Sequence, residues 1–254
     1  MSQEEPQTNS ALTQPSPPDS PGEASGIESA ADPALTEDAA LGLLKTRDLP
    51  PEAVEQLSKN AAVMKSRKVR RTLAAHPRTP RRIALRLIRE LYTFDLMQLS
   101  LMPSAAADLK RAADELLVAR LTSITLGERI SLARRSSALV AAALLLDKAV
   151  PVWQTALENP RLTEAAIARA LLRPNATPAF VEAVCHHAKW SLRPEIRIAL
   201  LRSEKTPLAR ALEFARRLPP PQLRDILHAS RMPEKTKAYL RRESENKGQP
   251  RKSV

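Results

Sequence analysis

ALLRPNATP, residues 170–178, and ALLRSEKTP, residues 199–207, are two copies of one phrase set 29 residues apart. An apolar run closes one helix, a few polar residues turn the chain, Thr offers an N-cap oxygen, and Pro takes a first helical position where it has no N–H to lose. TLAAHPRTP, residues 72–80, keeps the Thr-Pro ending, and DILHASRMP, residues 225–233, keeps the proline and the apolar run. A phrase recurring at this spacing is the mark of stacked helical units, each needing its neighbours to bury an apolar face. On this reading Thr79, Thr177 and Thr206 are N-caps of the helices that follow them.

Working outward, prolines number 22 and glycines 5 in 254 residues, and the prolines recur where helices would begin. That distribution predicts an all-α chain. Hydrophobic residues make up 43% but aromatics only 3%, so Ala and Leu must fill the core. Helices are expected after the Thr36 cap, from Ser66 to Ala75, from Thr79-Pro80 with Ile83, Leu87, Ile88 and Leu91 buried, from Phe94 to Met102 and from a Ser104 cap to Leu121. Ala138 to Leu146 is apolar all round and is placed centrally. Further helices follow from Pro151 to the one that opens at Pro233. Residues 163–172 read equally as the second member of one helix pair or the first of the next.

Residues 1–35 combine Pro, Ser, Gln and Glu with almost no large apolar side chain, so ordering them would cost entropy with little burial in return. They are expected to form a disordered acidic tail. A repeat domain over 36–245 and a disordered basic tail over 246–254 complete the division. The net charge of +12 conceals an asymmetry. The first 40 residues hold eight acids and no Lys or Arg, so residues 41–254 carry +20. Such a body attracts acidic partners, and the acidic tail is itself one candidate.

The cations concentrate at Lys65, Arg67, Lys68, Arg70 and Arg71 on one predicted helix and at Arg78, Arg81, Arg82, Arg86 and Arg89 around the next. Repeated cations of this kind suit an acidic protein surface or a run of phosphates. Cys185-His186-His187 offers metal-ligand chemistry, but successive helical residues point about 100° apart and cannot converge on one ion. Trp153 and Trp190 read as core anchors before groove walls. Glycines are too few for a phosphate-binding loop, and His186, the base next to the Cys185 thiol, is turned away from it by the helix. No catalytic residue, cofactor or metal is assigned. A lone cysteine, an acidic N-terminal stretch without a secretory leader's apolar core, and apolar runs too short to span a bilayer predict a cytoplasmic protein.

His76-Pro77, Asn159-Pro160, Thr79-Pro80, Thr177-Pro178 and Thr206-Pro207 give residues 66–243 a resemblance to bacterial HEAT-like and leucine-rich-variant helical repeats. The resemblance implies a right-handed α-solenoid of stacked helix pairs and a habit of binding proteins. Some leucine-rich-variant proteins carry an N-terminal cysteine cluster for an iron-sulfur centre, which this chain lacks. The expected function is a non-catalytic scaffold that binds a protein partner with an acidic surface, and the alternative is sequence-tolerant binding of RNA or DNA.

Overall fold

Pro21–Ala31 is helical, although the composition of residues 1–35 predicts no structure there. The computed structural model describes residues 21–246, and the side chains of 26–245; the rest of both expected tails, 1–20 and 247–254, lies outside them. Among the described residues there are 17 α-helices and no strand. They group into two compact units that divide after Leu91.

The first unit holds α1 (Pro21–Ala31), α2 (Glu37–Leu43), α3 (Pro51–Lys59), α4 (Ala61–Met64), α5 (Arg67–Ala75) and α6 (Arg81–Glu90). Helix α1 is held by tertiary contacts. This helix offers little more than Ile27 and Ala30 to the core, but it packs on α3, and Ala30 is completely buried. Asn60, between α3 and α4, donates through Nδ2 to the carbonyl of Asp32 at 2.8 Å, while its side-chain oxygen accepts the Ala62 N–H and caps α4. Ser66 caps α5 by accepting the Val69 N–H, and Val69 and Leu73, one turn apart, go into the core. In α6 the buried residues are Ile83, Ala84, Leu87 and Ile88, one stripe at helical spacing. His76 closes the α5–α6 joint. Its Nδ1 accepts the Arg78 N–H, which leaves the proton on Nε2 to donate to the Thr46 carbonyl at 3.0 Å.

The second unit holds α7 (Thr93–Leu101), α8 (Ala107–Arg120), α9 (Leu126–Arg135), α10 (Ala138–Leu144), α11 (Val150–Leu157), α12 (Glu164–Leu171), α13 (Pro178–His186), α14 (Pro194–Arg202), α15 (Leu208–Ala215), α16 (Pro220–His228) and α17 (Glu234–Asn246). Helices α8, α10, α12, α14 and α16 pack in succession as one row. The second row runs from α9 to α11, from α11 to α13 through an edge contact of Trp153 on Phe180, from α13 to α15 through Arg210 on the Cys185 carbonyl, and from α15 to α17. The 163–172 helix, α12, therefore sits in the same row as α10 and α14. Helix α10 packs against four others, α8, α9, α11 and α12, as its apolar sequence requires. It is nonetheless not enclosed all round, because Leu139 is 44% exposed.

Successive joints in this unit are tied by polar side chains reaching back 26 to 33 residues. Asn159 donates to Ala133 O at 2.8 Å, Trp190 Nε1 to Leu157 O at 2.9 Å, Lys205 Nζ to Ala176 O at 2.6 Å, and Ser230 Oγ to Leu201 O at 2.8 Å. The Ala133, Leu157 and Leu201 carbonyls are in the last turn of a helix, where they lack intrahelical partners, and Ala176 lies in the α12–α13 connection.

The Thr-Pro pairs do two different things. Thr177 accepts the Phe180 N–H at 3.2 Å and Pro178 opens α13, an N-cap as the sequence predicts. Thr79 and Thr206 are not N-caps. Their hydroxyls donate backwards, to Leu73 O and Leu200 O at 2.6 Å each, and Pro80 and Pro207 are the cap residues of α6 and α15. In these two joints the hydroxyl closes the outgoing helix instead of opening the incoming one. Ser104 is no cap either, since α8 begins three residues later after Ala106.

Candidate anion-binding groove

The ten cations singled out in the sequence all fall in the first unit, on or beside α5 and α6. The structure divides them. Lys68 pairs with Glu37 at 3.5 Å, Arg78 with Asp48 at 3.6 Å, and Arg70, largely covered, with Glu90 at 3.8 Å. These contacts join α5 to α2, the α5–α6 joint to the α2–α3 connection, and α5 to α6. Exposed pairs of this kind contribute little each, but they turn cations that a ligand would want toward the protein's own acids. Arg67, Arg71, Arg81 and Arg89 also engage neighbours. Lys65, Arg82 and Arg86 make no ion pair or hydrogen bond among the described residues.

Arg82 and Arg86 lie one turn apart on the exposed side of α6. Facing them across a groove of about 340 Å³ are Glu55, Ser58 and Lys59 of α3, with the buried Ile83 forming part of the floor. Lys59 is exposed and likewise has no polar partner. Three cations thus meet one carboxylate, leaving two positive charges in one concavity. The Ser58 hydroxyl donates to Glu55 O at 2.7 Å, so the polar contacts left to a ligand come from the cations. Lys59 is the member that sequence reading missed. It lies outside the 65–89 stretch, and only the packing of the first unit brings α3 opposite α6. The one local sign was its position four residues after Glu55.

The other candidates are taken up by the fold. Cys185 is completely buried, and burial pushes its thiol up to about 11, against the pull of Arg210. His187 accepts the N–H groups of Lys189 and Trp190 on Nδ1, leaving Nε2 to donate to Glu158 at 3.0 Å, and His186 bonds the Glu182 carbonyl. Adjacent in sequence, the three do not converge, and no group of three His, Cys, Asp or Glu among the described residues is placed to hold a metal ion. Trp153 and Trp190 are each 3% exposed and anchor the core. An edge of Trp153 does reach a groove of about 450 Å³ shared with Arg134, Gln154, Glu158 and His187. A groove of about 320 Å³ between α10 and α12 has a floor of alanines and a rim of Arg169, Arg173 and Asn175. Asp114 of α8 is buried with one carboxylate oxygen unpartnered. Burial raises its pKa against opposing hydrogen bonds from Ser137 and Ser100.

Among the described residues no helix is long and apolar enough to cross a membrane. No family model, curated protein or solved structure matches the chain.

Proposed function

We propose that the chain is a non-catalytic helical-repeat interaction module, HEAT-like in its joint grammar, that receives an acidic segment of a protein partner in the α3–α6 groove. The observation that carries this reading is that Lys59, Arg82 and Arg86 converge there without ion-pair partners while Lys68, Arg70 and Arg78 are spent on internal acids. A localised cationic concavity suits a short acidic motif. The solenoid reading of the second unit is supported by its two rows of helices and by joints tied to one another at 26 to 33 residues. Stacked repeats of this kind commonly present extended binding surfaces.

Sequence-tolerant nucleic-acid binding is the second reading, motivated by the +20 carried by residues 41–254. It calls for a track of unopposed cations, and each phosphate neutralised on duplex DNA steepens the dependence of log K on log salt by about 0.9. The two readings separate in one titration. A labelled Asp/Glu-rich peptide, a single-stranded RNA and a DNA duplex are titrated with the full chain, and with its Arg82→Glu/Arg86→Glu variant, at two salt concentrations. Peptide binding that the variant abolishes, with RNA and DNA weaker, is the expected result. RNA or DNA bound more tightly than the peptide, with a salt slope of several units, would replace this reading with the second.

A further inference from the structure

The geometry points to a phosphate monoester, carried on a side chain of the partner protein, as the anion that the α3–α6 groove recognises. This rests on the reading of the groove as the partner site and specifies its ligand. The argument begins with charge. Lys59, Arg82 and Arg86 against Glu55 leave two positive charges in the concavity. A phosphorylated Ser or Thr side chain brings about −1.5 to −2 at neutral pH and neutralises them, whereas one carboxylate leaves a cation uncompensated. A phosphodiester also carries a single charge.

The donors fit the same ligand. Arg82 and Arg86 project from one face of α6 a turn apart, and each guanidinium offers parallel N–H groups that match two oxygens of a tetrahedral phosphate. Lys59 adds a point charge from the opposite helix, so the groove supplies cations on two sides of the anion. Glu55 offsets one of the three cations, and the two positive charges that remain match the charge of a dianion. Ile83 beside the arginines gives the ester's carbon stem an apolar surface.

The test titrates the full chain with three probes: a peptide bearing one phosphoserine among acidic residues, the same peptide with Glu in its place, and inorganic phosphate as competitor. The phosphopeptide is expected to bind at least about tenfold more tightly than the Glu peptide. That advantage should shrink as pH falls through about 6, where the monoester takes up its second proton, a range in which the Glu peptide does not titrate. Arg82→Lys, which keeps charge but loses the forked donor pair, should weaken both peptides and leave the part of the advantage that comes from charge. Glu55→Gln should tighten both peptides, the dianionic phosphopeptide more than the Glu peptide. All these positions are at least partly exposed, so an unchanged melting curve checks that each variant is folded. Equal affinity for the two peptides would overturn the phosphate assignment and leave the acidic-partner reading standing. Binding of neither would overturn both. Inorganic phosphate competing as tightly as the phosphopeptide binds would overturn the protein-borne source.

Discussion

Asn159 Nδ2 donates to the carbonyl of Ala133 at 2.8 Å across 26 residues of sequence. The same amide also reaches Ser136 O, and its oxygen accepts the Arg161 N–H at 2.8 Å, so one side chain, 1% exposed, fastens the C-terminal end of α9 to the α11–α12 joint. Asn159→Leu would leave these backbone groups buried without partners and is expected to cost about 2–3 kcal/mol. Asn159→Asp should be no better, because its carboxylate would face carbonyls that need a donor. Urea unfolding with the m-value held constant reads both, and parent-like midpoints would show that water replaces the bond.

The two kinds of Thr-Pro joint respond differently to one substitution. Thr177→Asp keeps an acceptor for the Phe180 N–H and should be close to neutral. Thr206→Asp loses the hydroxyl that donates to Leu200 O and sets a carboxylate oxygen against that carbonyl in a site only 9% exposed. It should cost at least about 1–3 kcal/mol. Thermal or urea midpoints of the two variants decide it, and equal effects would refute the assignment of two roles.

Burial raises the Asp114 pKa, so the folded state holds that proton more tightly than the unfolded chain does. Stability contributed by the protonated group is present below the ordinary carboxylate range and is lost as pH rises through the raised value. Asp114→Asn does not titrate and should therefore be more stable than the parent at neutral pH. The difference should close as the pH is lowered into the acid range. Stability measured at several pH values checks the sign, and an Asn variant less stable at neutral pH would contradict it.

Cys185 should be chemically silent in the folded protein. Its thiol is completely buried and shifted from 9.0 to about 11, so almost no thiolate exists at pH 8. A thiol-exchange reagent should react at the rate of local opening and accelerate sharply in denaturant. Above pH 9 the unfolded chain ionises first, so the parent should lose stability between pH 9 and 11 relative to Cys185→Val. Rapid labelling under native conditions would show that the α13 environment is open.

By itself the sequence determined that the described chain is helical and where most helices begin. A cap such as Thr36, Ser66 or Thr177 bonds an N–H three residues ahead, and an apolar stripe at helical spacing is a local property. The 29-residue repeat of ALLR was legible for the same reason, and so was the cationic character of α5 and α6. Only the tertiary structure decided the rest. Whether a Thr hydroxyl opens one helix at Thr177 or closes another at Thr206 depends on which backbone group the joint brings near it. Helix α1 has too few apolar residues to order itself, and it is held by α3 and by Asn60 from some 30 residues away. The candidate site divides along the same line. Its arginines were visible as a cluster, but which of them stay unpaired depends on acids from other elements, Glu37, Asp48 and Glu90. Lys59 enters the groove only because packing sets α3 across from α6, a relation between segments more than 20 residues apart that no local pattern encodes.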